Sequence, residues 1–244
     1  GDTPGVETTT GPLGQGTANA VGLALAESLL AARFNTPEHK LVDHFTYALV
    51  SDGDLMEGIS HEAASLAGHL GLGKLVYIYD DNAITIEGGM ELASSEDTAS
   101  RFESYGWQVQ KIDGHDRAAI DGALEAARAE TARPSIIIAK TTIGFGSPNK
   151  SGSSGVHGSP LGDEECGLTR EALGWNHPEC TIPEEVRPLF QEPGTAGAEM
   201  HSAWKQLLAD YREKNPEKAA EWDRMQAGEL PGDTAVFALF KGRT

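Results

Sequence analysis

Short apolar runs alternate along this chain with segments of helical character. Buried strands are predicted at residues 45–50, 75–79 and 135–140, with a shorter strand at 107–110. Such nearly uninterrupted apolar runs are typical of parallel strands that are covered on both faces. Helices are predicted at residues 17–27, 58–70, 96–105 and 116–130. This alternation predicts an α/β fold with a doubly wound, mainly parallel sheet and helices on both faces.

The pattern changes after Lys140. Residues 144–162 are rich in Gly, Ser and Pro, and a loop of this length in a compact domain is either functional or disordered. From Ile182 onward the sequence is helical, polar and acidic, with expected breaks at Pro193-Gly194 and Pro231-Gly232. We therefore predict one domain at residues 1–190 and a helical extension at 191–244. The first helix, 17–27, is small and apolar on nearly every side, which predicts burial all round.

Composition narrows the classes of partner. The 244 residues carry a formal net charge of −18, which argues against nucleic acid and against anionic membrane surfaces. No signal peptide is visible, and no apolar run approaches the roughly 18 residues of a membrane span. Cys166 and Cys180 form neither a C-x-x-C pair nor a metal framework. A reducing compartment, the cytoplasm, is the simpler interpretation.

Two polar residues follow two of the predicted strands. Asp52 follows the first strand, and Asn82 follows the second. The carboxyl ends of adjacent parallel strands converge on one crevice, so these two side chains should meet. One carboxylate with one amide oxygen suits Mg²⁺, which takes its remaining ligands from water and substrate phosphates. The alternative for Asp52 is that it caps the following helix.

Two competing motifs fail. His61-Glu62 begins like the zinc motif H-E-x-x-H, but position 65 is a serine. Gly14-Gln15-Gly16 is not preceded by a strand and does not continue into the dinucleotide motif. The remaining histidines show no ligand spacing and are typical of surface or structural positions: His39, His44, His69, His115, His177 and His201.

Four ordered motifs together resemble transketolase, in the part that binds the diphosphate of thiamine diphosphate. They are G-V-E-T-T-T-G-P-L-G-Q-G from Gly5, S-D-G-D-L-M-E-G with D-D-N-A-I from Ser51, G-F-G-S-P-N-K from Gly144, and V-H-G-S-P-L-G from Val156. The resemblance spans at least three quarters of the chain. The first glycine of the family's G-D-G is Ser51 here, and Asp80-Asp81 precede Asn82. Neither difference removes a ligand atom.

The resemblance implies roles for single residues. The metal ligands would be Asp52, Asn82 and the carbonyl of Ile84. Gly11, Pro12 and Leu13 would lie beside the rings of the cofactor, and Gly53 would let the backbone approach the diphosphate. Glu57 would link two cofactor sites at a subunit interface, although a carboxylate at a helix start is also favoured by the helix dipole. His157 would contact the diphosphate and assist proton transfer; the alternative is a surface histidine.

The implied function is transfer of a two-carbon ketol unit from a ketose phosphate to an aldose phosphate. The implied cofactors are thiamine diphosphate and Mg²⁺, for which Ca²⁺ or Mn²⁺ could substitute. The family's other histidines near the cofactor would lie upstream of Gly1, and its pyrimidine-activating glutamate in a following domain. The chain thus resembles a fragment, a split subunit or a processed product that needs a complementary pyrimidine-binding domain or chain, as a homodimer or a split hetero-oligomer.

The sequence leaves three alternative functions open. The first is a non-catalytic cofactor-binding or assembly subunit that kept the fold and lost turnover. The second is another thiamine-diphosphate enzyme, such as a synthase of the same superfamily. The third is a nucleotide-binding module unrelated to thiamine.

Overall fold

The computed structural model of the chain describes Thr3 and residues 5–230. The described residues of Gly1–Leu29 and His44–Glu179 form one compact unit, and those of Leu30–Asp43 and Cys180–Thr244 form a second. The domain division at residue 190 stays a prediction. The expected break at Pro231-Gly232 lies outside the described residues. Within the described ranges, no helix combines the length and the apolar character that crossing a membrane requires.

A parallel four-stranded sheet forms the centre of the first unit. Its strands are β1 (Thr46–Ser51), β2 (Leu75–Asp81), β3 (Gln108–Asp113) and β4 (Ser135–Lys140). The spatial order is β1-β2-β4-β3, and all three neighbouring pairs are parallel. In this register Ser51 lies opposite Asp80, and Asp81 lies opposite Lys140. The carboxyl ends of β1, β2 and β4 therefore meet at one edge of the sheet.

The α-helices among the described residues are α1 (Gln15–Phe34), α2 (Asp52–Met56), α3 (Gly58–Leu70), α4 (Thr98–Ser104), α5 (Arg117–Ala129), α6 (Asp163–Ala172), α7 (Arg187–Lys214) and α8 (Pro216–Gln226). Both faces of the sheet are covered by helices. On one face, α1, α3 and α4 pack around Tyr77 and Trp107. On the other face, α5 packs against Val76 and Ile137. The predicted doubly wound α/β fold is confirmed.

Two burial predictions are wrong. Strand β1 was expected to be buried on both faces, but Leu49 is 83% exposed and Tyr47 is 47% exposed. The reason is that β1 is an edge strand of the described sheet and is covered on one face only. Helix α1 was expected to be buried on all sides, but Leu23 and Leu29 are exposed. It continues to Phe34, directly before Asn35-Thr36-Pro37, where the sequence predicts the end of the segment.

The end of the chain also differs from expectation. Helix α6 was not predicted. Helix α7 runs through Pro193, where a break was expected. Proline removes one backbone hydrogen bond from a helix interior, but the side chains around Pro193 are exposed, so water can reach the carbonyl that is released. The second unit has a core of its own, in which Phe34, Tyr211 and Trp222 are buried together.

Candidate functional site

Asp52 is the first residue of α2, directly after β1. The helix is capped by its neighbours: the Ser51 hydroxyl accepts from the Asp54 N–H, and Asp54 Oδ2 accepts from the Ser51 N–H at 2.9 Å. This reciprocal arrangement is a capping box, which satisfies the free N–H groups at a helix start. The alternative that Asp52 caps the helix is therefore wrong, and its carboxylate is left for another purpose.

The carboxylate of Asp52 is buried and only partly satisfied. The Tyr79 hydroxyl donates a hydrogen bond to Oδ1, and the backbone of Ala83 lies near enough to the carboxylate to lower its pKa. The second oxygen, Oδ2, is buried and has no hydrogen-bond partner in the described part of the chain. A buried carboxylate oxygen without a partner is costly unless a cation approaches it. Asp52 therefore has the features of a cation ligand.

The electrostatics of the group around Asp52 support this conclusion. Burial raises the pKa of Asp52, the hydrogen bond from Tyr79 lowers it, and the negative charges of Asp81 and Asp80 raise it again. Burial also raises the pKa of Tyr79, and its hydrogen bond to Asp52 raises it further. Tyr79 therefore stays protonated and donates. A divalent cation would offset the repulsion among these carboxylates.

Asn82 lies on a tight turn directly after β2. Its Oδ1 accepts from the Ile84 N–H at 3.0 Å, and its Nδ2 donates to Asp80 Oδ2 at 3.0 Å. These contacts orient the amide, and Oδ1 retains a second lone pair for a cation. Ala83, with a φ of 60°, takes the left-handed conformation between Asn82 and Ile84. The Ala83 backbone lowers the pKa of Asp52, so the structure brings Asp52 and the 82–84 turn together.

The backbone N–H and C=O of Ile84 point away from Gly89, the residue opposite it. Ile84 forms an antiparallel bridge with Gly89. The hydrogen bonds of this bridge come from the flanking residues: Met90 N–H to the Ala83 carbonyl at 2.9 Å, and Thr85 N–H to the Gly88 carbonyl at 2.7 Å. Ile84 is thus at a non-hydrogen-bonded position, where N–H and C=O point outward. Its carbonyl is directed away from Gly89, as a ligand role requires.

The oxygen donors around Asp52 suit Mg²⁺, which does not need a complete set of side-chain ligands. Among Thr3 and residues 5–230, no three His, Cys, Asp or Glu side chains are grouped so as to hold a metal ion. A metal at Asp52 would therefore depend on the amide oxygen of Asn82 and on a backbone carbonyl as well. Mg²⁺ accepts few protein ligands because it retains water and binds substrate phosphates.

The loop before α1 rests against α2. The Gly14 N–H donates to Asp54 Oδ1 at 3.0 Å. The Leu13 side chain fills the space beside Gly53, where an added Cβ would lie 3.1 Å from Leu13 Cδ1. Gly14 has a φ of 76°, and a Cβ there would lie 2.7 Å from Glu57 Cβ. The structure thus places Leu13, Gly53 and Glu57 together, whereas Gly11 and Pro12 are exposed at the start of the same loop.

Glu57 and His157 are both exposed. Glu57 precedes α3 at the N-cap position, but its side chain makes no capping hydrogen bond. His157 follows the short 3₁₀ turn Ser154–Val156, and its backbone N–H donates to the Ser154 carbonyl at 3.0 Å. In the described residues no hydrogen bond joins the His157 side chain to Asp52 or Asn82. The roles expected for Glu57 and His157 therefore stay predictions.

Three residues around this site were not predicted from the sequence to take part in it. Tyr79 was assigned only to a buried strand, although a buried tyrosine hydroxyl needs a partner and could have signalled one nearby. Asp54 carries the S-x-x-D spacing of a capping box, which is readable from sequence. His115 accepts from the Thr142 N–H at 3.0 Å and stacks on Phe145, with ring centroids 4.1 Å apart. No sequence signal pointed to that contact.

Comparisons with known proteins agree on one family. Residues 1–231 match the family described as "Transketolase, thiamine diphosphate binding domain". Transketolase 1 of Vibrio cholerae is 56% identical over 234 residues, which is 96% of this chain and 35% of that protein. The structure of transketolase from Leishmania mexicana matches with a TM-score of 0.90 and 43% identity, over 95% of this chain and 35% of that one.

A further solved structure is a complex. Transketolase from Pichia stipitis with sedoheptulose-7-phosphate matches with a TM-score of 0.90 and 42% identity, over 95% of this chain and 35% of that one. The chain thus spans about a third of the length of the relatives that it matches. The matched family covers nearly the whole of it. The chain belongs to the transketolase family, in which it corresponds to the thiamine diphosphate-binding domain.

Proposed function

We propose that this chain supplies the magnesium–diphosphate half of the cofactor site in an enzyme that transfers two-carbon ketol units between sugar phosphates. The observation that carries the proposal is the buried Asp52 carboxylate, whose Oδ2 has no partner in the described chain. It lies at the convergent strand ends where ligands bind in open α/β sheets. Asn82 and the outward carbonyl of Ile84 lie on the adjoining turn.

Each residue of this group has a distinct task in the proposed site. Asp52, Asn82 and Ile84 would bind Mg²⁺ through oxygen atoms, with Mn²⁺ or Ca²⁺ as substitutes, and the metal would hold the diphosphate. Tyr79 would keep the Asp52 carboxylate oriented through its hydrogen bond. Gly11, Pro12 and Leu13 would line the crevice beside the rings of the cofactor. Thiamine diphosphate, when bound, supplies the nucleophilic carbon and the electron sink of the reaction.

His157 and Glu57 would act at the edge of this site. Both are exposed, so they are free to meet a substrate or a second subunit. We assign His157 to hydrogen bonding and proton transfer at the reacting substrate, because imidazole titrates near neutral pH. We assign Glu57 to the interface of a homodimer, where it would link two cofactor sites. Family membership supports both assignments.

A relative supports the class of substrate: the Pichia stipitis transketolase has been crystallised with sedoheptulose-7-phosphate, a sugar phosphate. We propose, in addition, a role in pentose phosphate metabolism in the cytoplasm. The relatives are about three times as long as this chain. We therefore propose that turnover requires a complementary pyrimidine-binding domain, supplied in the same polypeptide or by another chain.

A reconstitution assay tests this proposal. The 244-residue chain is supplied with a ketose phosphate, an aldose phosphate, Mg²⁺ and thiamine diphosphate, with and without a complementary pyrimidine-binding chain. We expect ketol transfer only when both chains are present, because the isolated chain has half of the cofactor site. Robust turnover by the chain alone would contradict the division of labour. Metal-dependent cofactor binding without transfer in the full assembly would favour a non-catalytic cofactor subunit.

Calorimetric titration separates the remaining rivals. Thiamine diphosphate should bind only with Mg²⁺ present, whereas ATP and NAD should give no binding heat. If ATP or NAD binds instead, the chain is a nucleotide-binding module. If thiamine diphosphate binds but the assembly acts on substrates other than sugar phosphates, a synthase of the same superfamily is the better assignment.

A further inference from the structure

A single buried carboxylate holds the loop that carries His157. Glu165, in the first turn of α6, is 6% exposed. Its Oε1 accepts from the Ser147 hydroxyl and from the Asn149 N–H at 2.8 Å, and its Oε2 accepts from Asn149 Nδ2 at 2.9 Å. One side chain from the helix that follows the loop thus binds two residues near the beginning of the loop.

Other contacts close the same loop on both sides of His157. The Lys150 ammonium donates to the Leu161 carbonyl at 2.6 Å. The Gly152 N–H donates to the Ile143 carbonyl at 2.8 Å. Val156 packs against Gly144, where an added Cβ would lie 3.0 Å from Val156 Cγ2. The outgoing part of the loop, residues 144–150, is therefore fastened to the returning part, residues 156–162, around an exposed histidine.

The helix dipole does not explain why Glu165 is buried. Acidic residues are favoured in the first turn of any helix, and Asp163 and Glu164 are already there, both exposed to solvent. Burying a carboxylate is costly unless hydrogen bonds compensate it. All the contacts recorded for the Glu165 carboxylate come from the loop. The hydrogen bonds from Ser147 and Asn149, with the charge of Lys150, lower the pKa of Glu165, so it is ionised at neutral pH.

We propose that Glu165 is a positioning residue for the reaction: it holds loop 144–162 closed so that His157 stays at a fixed place over the cofactor. The inference rests on the proposed function, since the closed loop is held to serve that reaction by keeping His157 in position. Glu165 itself touches neither substrate nor cofactor. Displacing a reacting group by about 1 Å can cost about 100-fold in rate, so a loosened loop should be visible in turnover.

The first test measures the loop and does not depend on activity. Glu165→Gln keeps the shape but replaces one acceptor oxygen with an NH₂ group, which would face donors. Hydrogen exchange is measured at the Gly152 and His157 amides in the 244-residue chain. We expect exchange about tenfold or more faster than in the unsubstituted chain. The matched control is Glu164→Gln on the exposed neighbour, which should leave exchange unchanged. Equal exchange in both variants would overturn the clamp.

The second test asks whether the loop serves the reaction. In a full-length transketolase that carries this domain, Glu165→Gln should lower kcat about 10- to 100-fold, in the range seen for residues that orient a functional group, with little change in cofactor affinity. In a His157→Ala background the same substitution should have little further effect, because Glu165 acts through His157. An equal loss of kcat in both backgrounds would overturn the positioning role.

Failure of the variant to fold and absence of activity in the unsubstituted enzyme have separate consequences. If Glu165→Gln does not fold, Ser147→Ala removes only one donor to the carboxylate and is tested in the same way, with the same expected results. If the unsubstituted full-length enzyme shows no ketol transfer, the proposed function fails and the catalytic part of this inference fails with it. The exchange rates would still decide whether Glu165 holds the loop.

Discussion

Replacing Asp52 by alanine should abolish most of the Mg²⁺-dependent binding of thiamine diphosphate while leaving the fold intact. The fold should tolerate the change because the α2 cap is formed by Ser51 and Asp54. The Tyr79 hydroxyl loses its acceptor, at a cost of about 1–3 kcal/mol. That cost is partly offset, because the substitution also removes a buried carboxylate whose charged form is disfavoured by burial.

The effect on binding should be much larger. Removing one member of a buried charge pair costs about 3–5 kcal/mol, which corresponds to about 100- to 4000-fold in affinity. The metal would retain only neutral protein ligands at this site, Asn82 and the Ile84 carbonyl. We therefore expect the dissociation constant of thiamine diphosphate at fixed Mg²⁺ to rise by at least about 100-fold.

Isothermal titration of a full-length transketolase carrying this domain measures the change, with thermal unfolding recorded in parallel. Asp121→Ala, which removes an exposed carboxylate on α5, is the control and should keep the original affinity. Unchanged affinity in Asp52→Ala would refute the metal assignment. A large fall in melting temperature together with lost binding would refute the claim that Asp52 is dispensable for folding.

Three further predictions concern the neighbours of this site. Tyr79→Phe should weaken metal-dependent cofactor affinity about 10- to 100-fold, as loss of a ligand-orienting hydrogen bond does. Its control, Tyr77→Phe, removes a hydroxyl that donates to the Thr17 carbonyl, and should have no such effect; equal losses in calorimetry would contradict the role of Tyr79. His157→Ala should lower kcat about 10²–10⁴-fold with the cofactor retained, in contrast to His201→Ala on the exposed face of α7; loss of cofactor at unchanged kcat would make His157 an anchor. The pKa of Glu165 is lowered, so its contribution to loop stability is complete above the ordinary glutamate pKa of about 4.3 and is lost as the pH falls through the lowered value. At low pH, hydrogen exchange at the Gly152 amide of the unsubstituted chain should then approach that of Glu165→Gln. Protection of this amide that persists in acid would contradict the prediction.

The positions of Asp52 and Asn82 could be predicted because strand ends converge in a parallel sheet. Asp52 and Asn82 come directly after the ends of β1 and β2, and these two strands pair in parallel. The α3 boundary was also predictable, since Gly71 at its end adopts the left-handed conformation that glycine favours. These features depend on local sequence or on a general rule of topology.

Other features depend on contacts between distant residues and were not predictable. Glu165 looks like an ordinary acidic helix start, and only the folded loop shows that Ser147 and Asn149 donate to it. The exposure of Leu49 depends on β1 being at the edge of the described sheet. Strand order cannot be read from the apolar run itself, because edge and central strands can share the same composition.

In the proposed site, Asp52, Asn82 and the Ile84 carbonyl hold the metal that binds the diphosphate. The most direct measurement is a crystal structure of a full-length transketolase carrying this domain, with thiamine diphosphate and Mn²⁺, using anomalous scattering to locate the metal. We expect one anomalous peak at these three oxygen atoms, beside the diphosphate. A peak elsewhere, or an ordered diphosphate at another edge of the sheet with no metal beside Asp52, would contradict it.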